Sequence, residues 1–408
     1  MKIVIKKENM SFWLNSIIIS LILFSNLVIA NAKYLMYTVI IIATTSFYTF
    51  IISIMKFKNT KRALFSLPSL WLILCESLIF FYGYFGKYKK DYSLSFHLFS
   101  ALSIFLILII LYHKFENVVD VVTRASVITI ILMSIFIIIS DMNNFKLLFS
   151  GNFIRMGKTA VGNVNTTAIS YVILSIPIMY KLVIERNKKY IIIEIVSLFF
   201  MIITGSKKAI LSLLIMIFVC MLGKAKKNHC MINIFKGIFL ISIILLSCYF
   251  IPILNELIWS RLVSMFESLI NYNEKNQSST GIRLTYIITA FTKAWDKPFF
   301  GHGWGAFKEI YGYNSLYKIK LYTHCNYAEI LFSFGIIGFI IFYFLPFSLI
   351  KAWKKNKNFN KKMLSILYFL CLFFIDFGTV TFYSNILWYI GFLISYILYK
   401  TNIMEKNK

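Results

Sequence analysis

Charged residues are scarce in this sequence. Asp, Glu, Lys and Arg make up 14% of its 408 residues, whereas a soluble domain carries about 25%. Hydrophobic residues reach 59%, and apolar runs of roughly 20 residues, the length that crosses a bilayer as a helix, recur from end to end. This composition excludes an ordinary soluble domain and predicts an all-α membrane protein with about twelve transmembrane helices. The predicted spans are 12–30, 34–55, 64–85, 94–112, 125–140, 166–184, 190–204, 209–222, 236–254, 326–350, 363–381 and 384–399.

Cysteine and histidine are also few, with six and five residues. Only Cys325 falls at the predicted outer face, so no disulfide framework is expected there. The histidines are scattered, and none has a second histidine or a cysteine three or four residues away, so the sequence predicts no zinc site. We expect no metal and no cofactor. The histidines are His97, His113, His229, His302 and His324.

Acidic residues are the scarcest charged class, 16 against 43 Lys and Arg, for a net charge of +27. Such an excess can indicate nucleic-acid binding, but its distribution argues otherwise. Lys and Arg concentrate at the termini and in alternate connections such as 56–62 and 351–362, the positive-inside pattern of membrane proteins, and they also attract anionic lipid. We expect a multi-pass membrane protein with both termini cytoplasmic, and no nucleic-acid partner.

The spans divide the chain into three parts. Residues 1–254 hold spans one to nine, residues 255–325 form one long extracytoplasmic loop, and residues 326–408 hold spans ten to twelve and a cytoplasmic tail. The loop carries five of the 16 acidic residues and two of the five histidines. Its apolar spacing predicts a short amphipathic helix over 256–272 lying on the outer leaflet and a second helix over 283–295. An irregular glycine-rich turn follows at 298–305 and lacks the spacing of a dinucleotide fingerprint.

Several polar residues on the predicted outer side are candidates for function. Lys207 and Lys208 cap a tight hairpin between spans 190–204 and 209–222, and Arg283 and His324 lie in the long loop. From the residues alone, each also fits a plainer interpretation as a solvated helix end, an interfacial anchor or a surface histidine. Two carboxylates inside predicted spans are further candidates, because charge within a membrane is costly; these are Glu194 and Asp376.

A series of short motifs surrounds the same loop. They are Gly162-Asn163 with Asn165; Gly205-Ser206-Lys207-Lys208-Ala209; Arg283-Leu284 and Trp295; Pro298-Phe299-Phe300-Gly301-His302-Gly303-Trp304-Gly305; Thr323-His324-Cys325-Asn326-Tyr327-Ala328-Glu329; and Phe334-Gly335-Ile336-Ile337-Gly338. In order and spacing, the region of about 160–345 resembles the O-antigen ligase and polymerase family of polytopic bacterial membrane glycosyltransferases. The resemblance implies a GT-C-like architecture in the bacterial cytoplasmic (inner) membrane.

The resemblance also implies a chemistry. Members transfer a glycan from a polyprenyl (undecaprenyl) diphosphate carrier at the outer face; polymerases extend a chain by repeat units, and ligases move the finished chain to lipid A core. Carried over, Lys207 or Lys208 and Arg283 bind the diphosphate, and His324 activates the acceptor hydroxyl. Lys207 stands where the family usually has arginine, so the bidentate fork is lost. Cys325 separates His324 from Asn326, a pair that is adjacent in the family.

The residue types suit this chemistry. A diphosphate leaves readily once cations neutralise its developing charge, and histidine titrates near the working pH of a general base. Glu329 is a candidate orienting partner for His324. The further supporting candidates are Asn326, Asn165 and Trp304.

We favour a polysaccharide (O-antigen or capsule) polymerase, with the bilayer, a flippase and a chain-length regulator as partners. A ligase or related lipid-linked oligosaccharide transferase is the first alternative, and it would need a lipid A acceptor. A polysaccharide flippase or transporter is an alternative of another class, but one long loop between spans nine and ten breaks the symmetry of two similar halves. A peptidoglycan-polymerising glycosyltransferase is a fourth interpretation.

Overall fold

A computed structural model describes residues 7–28, 34–88, 93–113, 118–149, 155–223, 230–270, 279–314, 318–355 and 359–382. Helices occupy eleven of the twelve predicted spans, and span 384–399 lies outside the described residues. Six helical segments in the described residues are long and apolar enough to cross a membrane, and two shorter apolar helices accompany them. The all-α membrane class therefore agrees with the structure, and the number of twelve crossings stays a prediction.

The helices of the N-terminal part are α1 (Lys7–Val28), α2 (Leu35–Met55), α3 (Phe57–Leu64), α4 (Leu67–Phe85), α5 (Ser93–His113), α6 (Val118–Ser140), α7 (Met142–Phe149), α8 (Lys158–Val161) and α9 (Val164–Met179). They continue with α10 (Ile191–Ile203), α11 (Lys207–Gly223), α12 (Cys230–Phe250), α13 (Pro252–Leu254), α14 (Ser260–Ile270), α15 (Ser279–Ala294), α16 (Ala306–Ile310), α17 (Asn326–Lys355) and α18 (Phe359–Asp376). Strands β1 (Tyr313–Asn314) and β2 (Ile319–Lys320) pair antiparallel, with Tyr313 opposite Lys320. Shorter turns are π-helical at Tyr180–Ile184 and Asn255–Trp259 and 3-10 at Lys188–Tyr190.

Helix α9 lies at the centre of the bundle. Every side chain from 167 to 179 is buried, and the helix packs against α6, α10, α11 and α18. A helix that is apolar on all sides has to be surrounded in this way. Peripheral helices instead expose large apolar side chains; on α2, Phe47 and Phe50 are more than 60% exposed, as expected for surfaces that contact lipid.

The long loop contains the two predicted helices, with different beginnings. The amphipathic stretch starts as a π-helical turn and continues as α14, and the second helix, α15, begins at Ser279 rather than at 283. Ile258 and Leu262 of the first stretch are buried, whereas Phe266 and Leu269 are exposed. One part of the apolar side thus packs on the protein, and the rest is available to the membrane interface.

Helix α17 is interrupted at Gly335, whose backbone is not helical (φ 65°, ψ −164°). Loop 298–303 fills the break. The Ile336 and Ile337 amides donate to the carbonyls of residues 298 and 299 at 2.7 and 3.3 Å, and the amides of residues 302 and 303 donate to the carbonyls of residues 332 and 333, both at 2.9 Å. Unpaired backbone groups are expensive inside a bilayer, so these bonds allow the helix to break. A Cβ atom on Gly335 would lie 2.4 Å from the Phe299 carbonyl, which explains the glycine.

Candidate functional site

The turn between α10 and α11 is the meeting point of the candidate site. Helix α10 ends at Ile203 and α11 begins at Lys207, as the predicted tight hairpin requires, and Gly205 takes a left-handed conformation (φ 58°). Lys207 and Lys208 follow each other at the start of α11, so their side chains leave the helix about 100° apart. The Lys207 ammonium donates to Ser264 Oγ at 3.2 Å, and the Lys208 ammonium donates to Thr379 Oγ1 at 3.1 Å. The two lysine side chains therefore lie on different sides of the turn.

Two arginines that sequence reasoning did not single out join this turn. Arg155 donates from Nε to the Thr204 carbonyl at 2.7 Å and from Nη2 to Asn165 Oδ1 at 3.0 Å. Arg261 of α14 donates from Nη1 to the Gly205 carbonyl at 3.2 Å. Asn165, a predicted supporting residue, thus reaches the site by orienting Arg155.

Arg283 lies among these cations on the first turns of α15. Burial and the charges of Arg261 and Arg283 lower the pKa of Arg155 to about 10. The pKa of Lys207 is lowered by burial and then by the three arginines, of which Arg261 has the largest effect. Burial and the charge of Arg283 lower the pKa of Lys208 to about 7. Arg283 is thus the cation common to both sides of the turn.

No carboxylate neutralises these five cations in the described residues: the ion pairs found there involve other side chains. Nor do three His, Cys, Asp or Glu side chains of that part of the chain come together as a metal-binding group. Mutual repulsion among partly buried cations disfavours the empty site and favours an anionic ligand. We call Arg155, Lys207, Lys208, Arg261 and Arg283 the cation cluster.

His324 lies beside the Lys208 side of the cluster. Burial, and then the positive charges of Arg283 and Lys208, lower the pKa of His324 to about 3, so its imidazole is neutral at physiological pH. Its ring packs against Tyr322 with centroids 4.2 Å apart. The backbone of His324 is left-handed (φ 61°), an uncommon conformation for a residue other than glycine. Strained backbone of this kind concentrates at functional sites.

The turn that carries His324 is fixed from both sides. The Thr323 hydroxyl donates to the Cys325 carbonyl at 2.9 Å and accepts from the Cys325 amide at 3.3 Å. The buried Glu329 carboxylate accepts from the Thr323 amide at 3.0 Å. Glu329, the predicted orienting partner, therefore acts on the backbone next to His324.

Asn326, a predicted supporting residue, is fully buried, and its side chain hydrogen-bonds to groups outside the cation cluster. Its amide nitrogen donates to Tyr343 Oη at 3.0 Å and to Asp376 Oδ2 at 3.2 Å, and its oxygen accepts from the amides of residues 381 and 382 at 3.0 and 3.2 Å. Asp376 also accepts from Thr381 Oγ1 at 2.6 Å. This network connects the start of α17 to the end of α18. The intramembrane carboxylate of Asp376 therefore has a structural role, since it accepts hydrogen bonds within the network. The other intramembrane carboxylate, Glu194, is also buried and lies near Ser175.

The glycine-rich turn serves packing. Trp304 is 6% exposed and meets the His97 ring of α5 edge-on, with centroids 5.2 Å apart. His302 stacks on Phe332 at 4.3 Å, and its Nε2 lies 3.0 Å from the Lys293 carbonyl. The predicted supporting role of Trp304 stays a prediction.

An apolar groove of about 400 Å³ opens next to the site. Its lining is close to the site along the chain, because Tyr327 follows His324 by three residues and Phe377 precedes Thr379, the partner of Lys208, by two. The groove is lined by Phe291, Tyr327, Leu331, Phe339, Phe373 and Phe377.

A weak sequence signal for the two missed arginines exists in hindsight. Arg261 is the single basic residue of 256–270 and has no acidic residue three or four positions away. Arg155 shortly precedes the Gly162-Asn163 motif. Neither signal indicates that both side chains end at the same hairpin turn.

Part of the chain matches a known protein family. Residues 192–343 match the family model described as O-antigen ligase. No individual curated protein matches the chain. The match confirms the resemblance to the O-antigen ligase and polymerase family, and together with the apolar helices it indicates a multi-pass membrane protein. The family suggests O-antigen ligase- or polymerase-type activity.

Proposed function

We propose that the protein is a polysaccharide polymerase that joins polyprenyl-diphosphate-linked oligosaccharide repeat units at the outer face of the cytoplasmic membrane. The observation that carries the proposal is a neutral, strained histidine beside cations that have no acidic partner among the described residues. Together they provide a general base and a place for a diphosphate leaving group.

The glycosyl donor is bound by charge at one end and by apolar contact at the other. Arg283 and Lys208 hold its diphosphate, and they are the two cations whose charge acts on His324. The adjoining apolar groove takes the first isoprene units of the carrier, whose chemistry matches the aromatic lining.

The transfer step follows from this placement. The neutral imidazole of His324 takes the proton from the acceptor hydroxyl as its oxygen bonds to the anomeric carbon. The bond from that carbon to the diphosphate oxygen breaks, and its electron pair leaves with the diphosphate. Arg283 and Lys208 stabilise the charge that develops on that oxygen.

The low pKa of His324 also links base strength to substrate binding. Burial, and then the charges of two cations, lower this pKa in the free protein, and a bound diphosphate would offset only the part caused by the cations. The His324 pKa then rises, because a nearby anion favours the protonated form. His324 becomes a stronger base once the glycosyl donor is in place.

The decisive experiment compares two histidines of the same loop. His324→Ala should accumulate single lipid-linked repeat units and lower the rate about 10²–10⁴-fold, the usual cost of losing a general base. His302→Ala, which removes a packing residue, should retain most of the activity at equal protein level. Polymer of normal length from His324→Ala, with loss in His302→Ala, would contradict the proposal.

Arg283 offers a second test. Arg283→Ala should abolish polymer formation, and Arg283→Lys should restore only part of it, because lysine lacks the planar fork that binds two phosphate oxygens. Full-length glycan from Arg283→Ala at normal protein levels would refute the diphosphate role.

A ligase is the second candidate, favoured by the description of the matching family model. The two functions differ in acceptor. Incubation with one lipid-linked repeat unit alone yields longer lipid-linked chains from a polymerase, whereas a ligase needs lipid A core as a second substrate.

A further inference from the structure

The cation cluster has two sides, which meet at Arg283. On the inner side, Lys208 extends toward Thr379 and acts on His324. On the outer side, Lys207 extends toward α14 and meets Arg155 and Arg261 around the turn. The divergence of Lys207 and Lys208 at the start of α11 keeps the two sides apart.

The outer side is built by hydrogen bonds that leave donors available. Arg155 and Arg261 each bond a backbone carbonyl of the turn, residues 204 and 205. These bonds anchor both guanidinium groups at adjacent residues of one turn, and an arginine has five N–H donors, so further donors remain for a ligand. Fixed cations of this kind are suited to binding an anion.

The charge of the cluster exceeds what one glycosyl donor needs. A diphosphate diester carries one negative charge on each phosphate group, so Arg283 and Lys208 match it. Three cations remain on the outer side, with no acidic partner among the described residues. Partly buried like charges of this kind are stabilised by a second anion of similar charge.

We propose that Arg155, Lys207 and Arg261 form a second diphosphate site, which binds the lipid-linked acceptor while Arg283 and Lys208 bind the glycosyl donor. The inference rests on the proposed polymerase function, because a polymerase joins two substrates that both carry a diphosphate. His324, next to the inner side, then faces the glycan end of the acceptor.

The test counts bound lipids. Protein in nanodiscs is titrated with undecaprenyl diphosphate, and bound equivalents are read by native mass spectrometry. Wild type should bind two equivalents, Arg261→Gln one, Lys208→Gln one, and the double variant none. Arg261→Lys should retain two, because it keeps the charge. Lys297→Gln, an exposed loop cation outside the cluster, should also retain two.

The contrary results are distinct. One equivalent in wild type, or two in Arg261→Gln, overturns the second site. Displacement of the second equivalent by excess phosphatidylglycerol also overturns it, because the outer side would then bind membrane headgroups. Two equivalents without any polymer formation refute the polymerase and leave the second site standing, whereas polymer formation with one equivalent refutes the second site alone.

Discussion

Gly335→Ala should detach loop 298–303 from the break in α17. A Cβ atom at this position would lie 2.4 Å from the Phe299 carbonyl, and the left-handed backbone (φ 65°) adds strain. Four backbone hydrogen bonds join the loop to the break. At about 0.5–1.5 kcal/mol each, their loss destabilises the protein by about 2–6 kcal/mol, and by more where lipid replaces water.

Gly305→Ala is the matched control. Gly305 is also left-handed (φ 73°), but a Cβ atom there would come no closer than 3.7 Å to another residue. This variant should lose only about 1–2 kcal/mol of unfolding free energy, the cost of placing a residue with a Cβ atom in the left-handed conformation. The thermal unfolding midpoints of the two purified proteins and their polymer synthesis provide the measurement. Activity should fall with Gly335→Ala, because the break lies in α17, the helix that begins two residues after His324. Equal midpoints for the two variants would show that the loop does not support the break.

Three further predictions address topology, charge and packing. A cysteine at Ser279 should react with an impermeant thiol reagent in intact cells or spheroplasts, and one at Asn356 should not; the reverse labelling pattern would overturn the orientation. Because the pKa of Lys208 is about 7, kcat/KM for the glycosyl donor should fall as the pH rises above 7 and this ammonium loses its proton. Lys208→Arg should abolish that fall in the pH profile, and an unchanged profile would assign it to another group. Asn326→Ala should lower the unfolding midpoint and protein yield, because it removes four buried hydrogen bonds, each worth about 1 kcal/mol; an unchanged midpoint with lost activity would indicate a direct catalytic role.

The helices were predictable because each apolar run is a local property of the chain. The central position of α9 was not, since its run resembles the others and its burial depends on which helices surround it. The break at Gly335 was also not predictable. The Phe334-Gly335 motif is visible in sequence, but its meaning depends on a loop about 35 residues earlier that supplies the hydrogen bonds.

The residues of the candidate site also divide into those that local motifs indicate and those that reach the site from distant parts of the sequence. Lys207, Lys208, Arg283 and His324 were predictable because short motifs surround them, and the structure places all four at one turn or next to it. Arg155 and Arg261 were missed because they reach the turn across about 50 residues of sequence. The burial of Asn326 was missed because most of its partners, Asp376 and residues 381 and 382, lie at the end of α18 or just after it, about 50 residues away.

The cation cluster also has a consequence for turnover. The by-product of each transfer, a polyprenyl diphosphate, keeps the groups that Arg283, Lys208 and the apolar groove contact. In the proposed reaction, glycosyl transfer removes the sugar, leaves these contacts intact and adds negative charge to the diphosphate, so the by-product would be held at least as tightly by the cations as the substrate was. If the proposed function holds, we expect departure of the spent carrier, rather than bond formation, to set the rate of the cycle, as product release does in many enzymes.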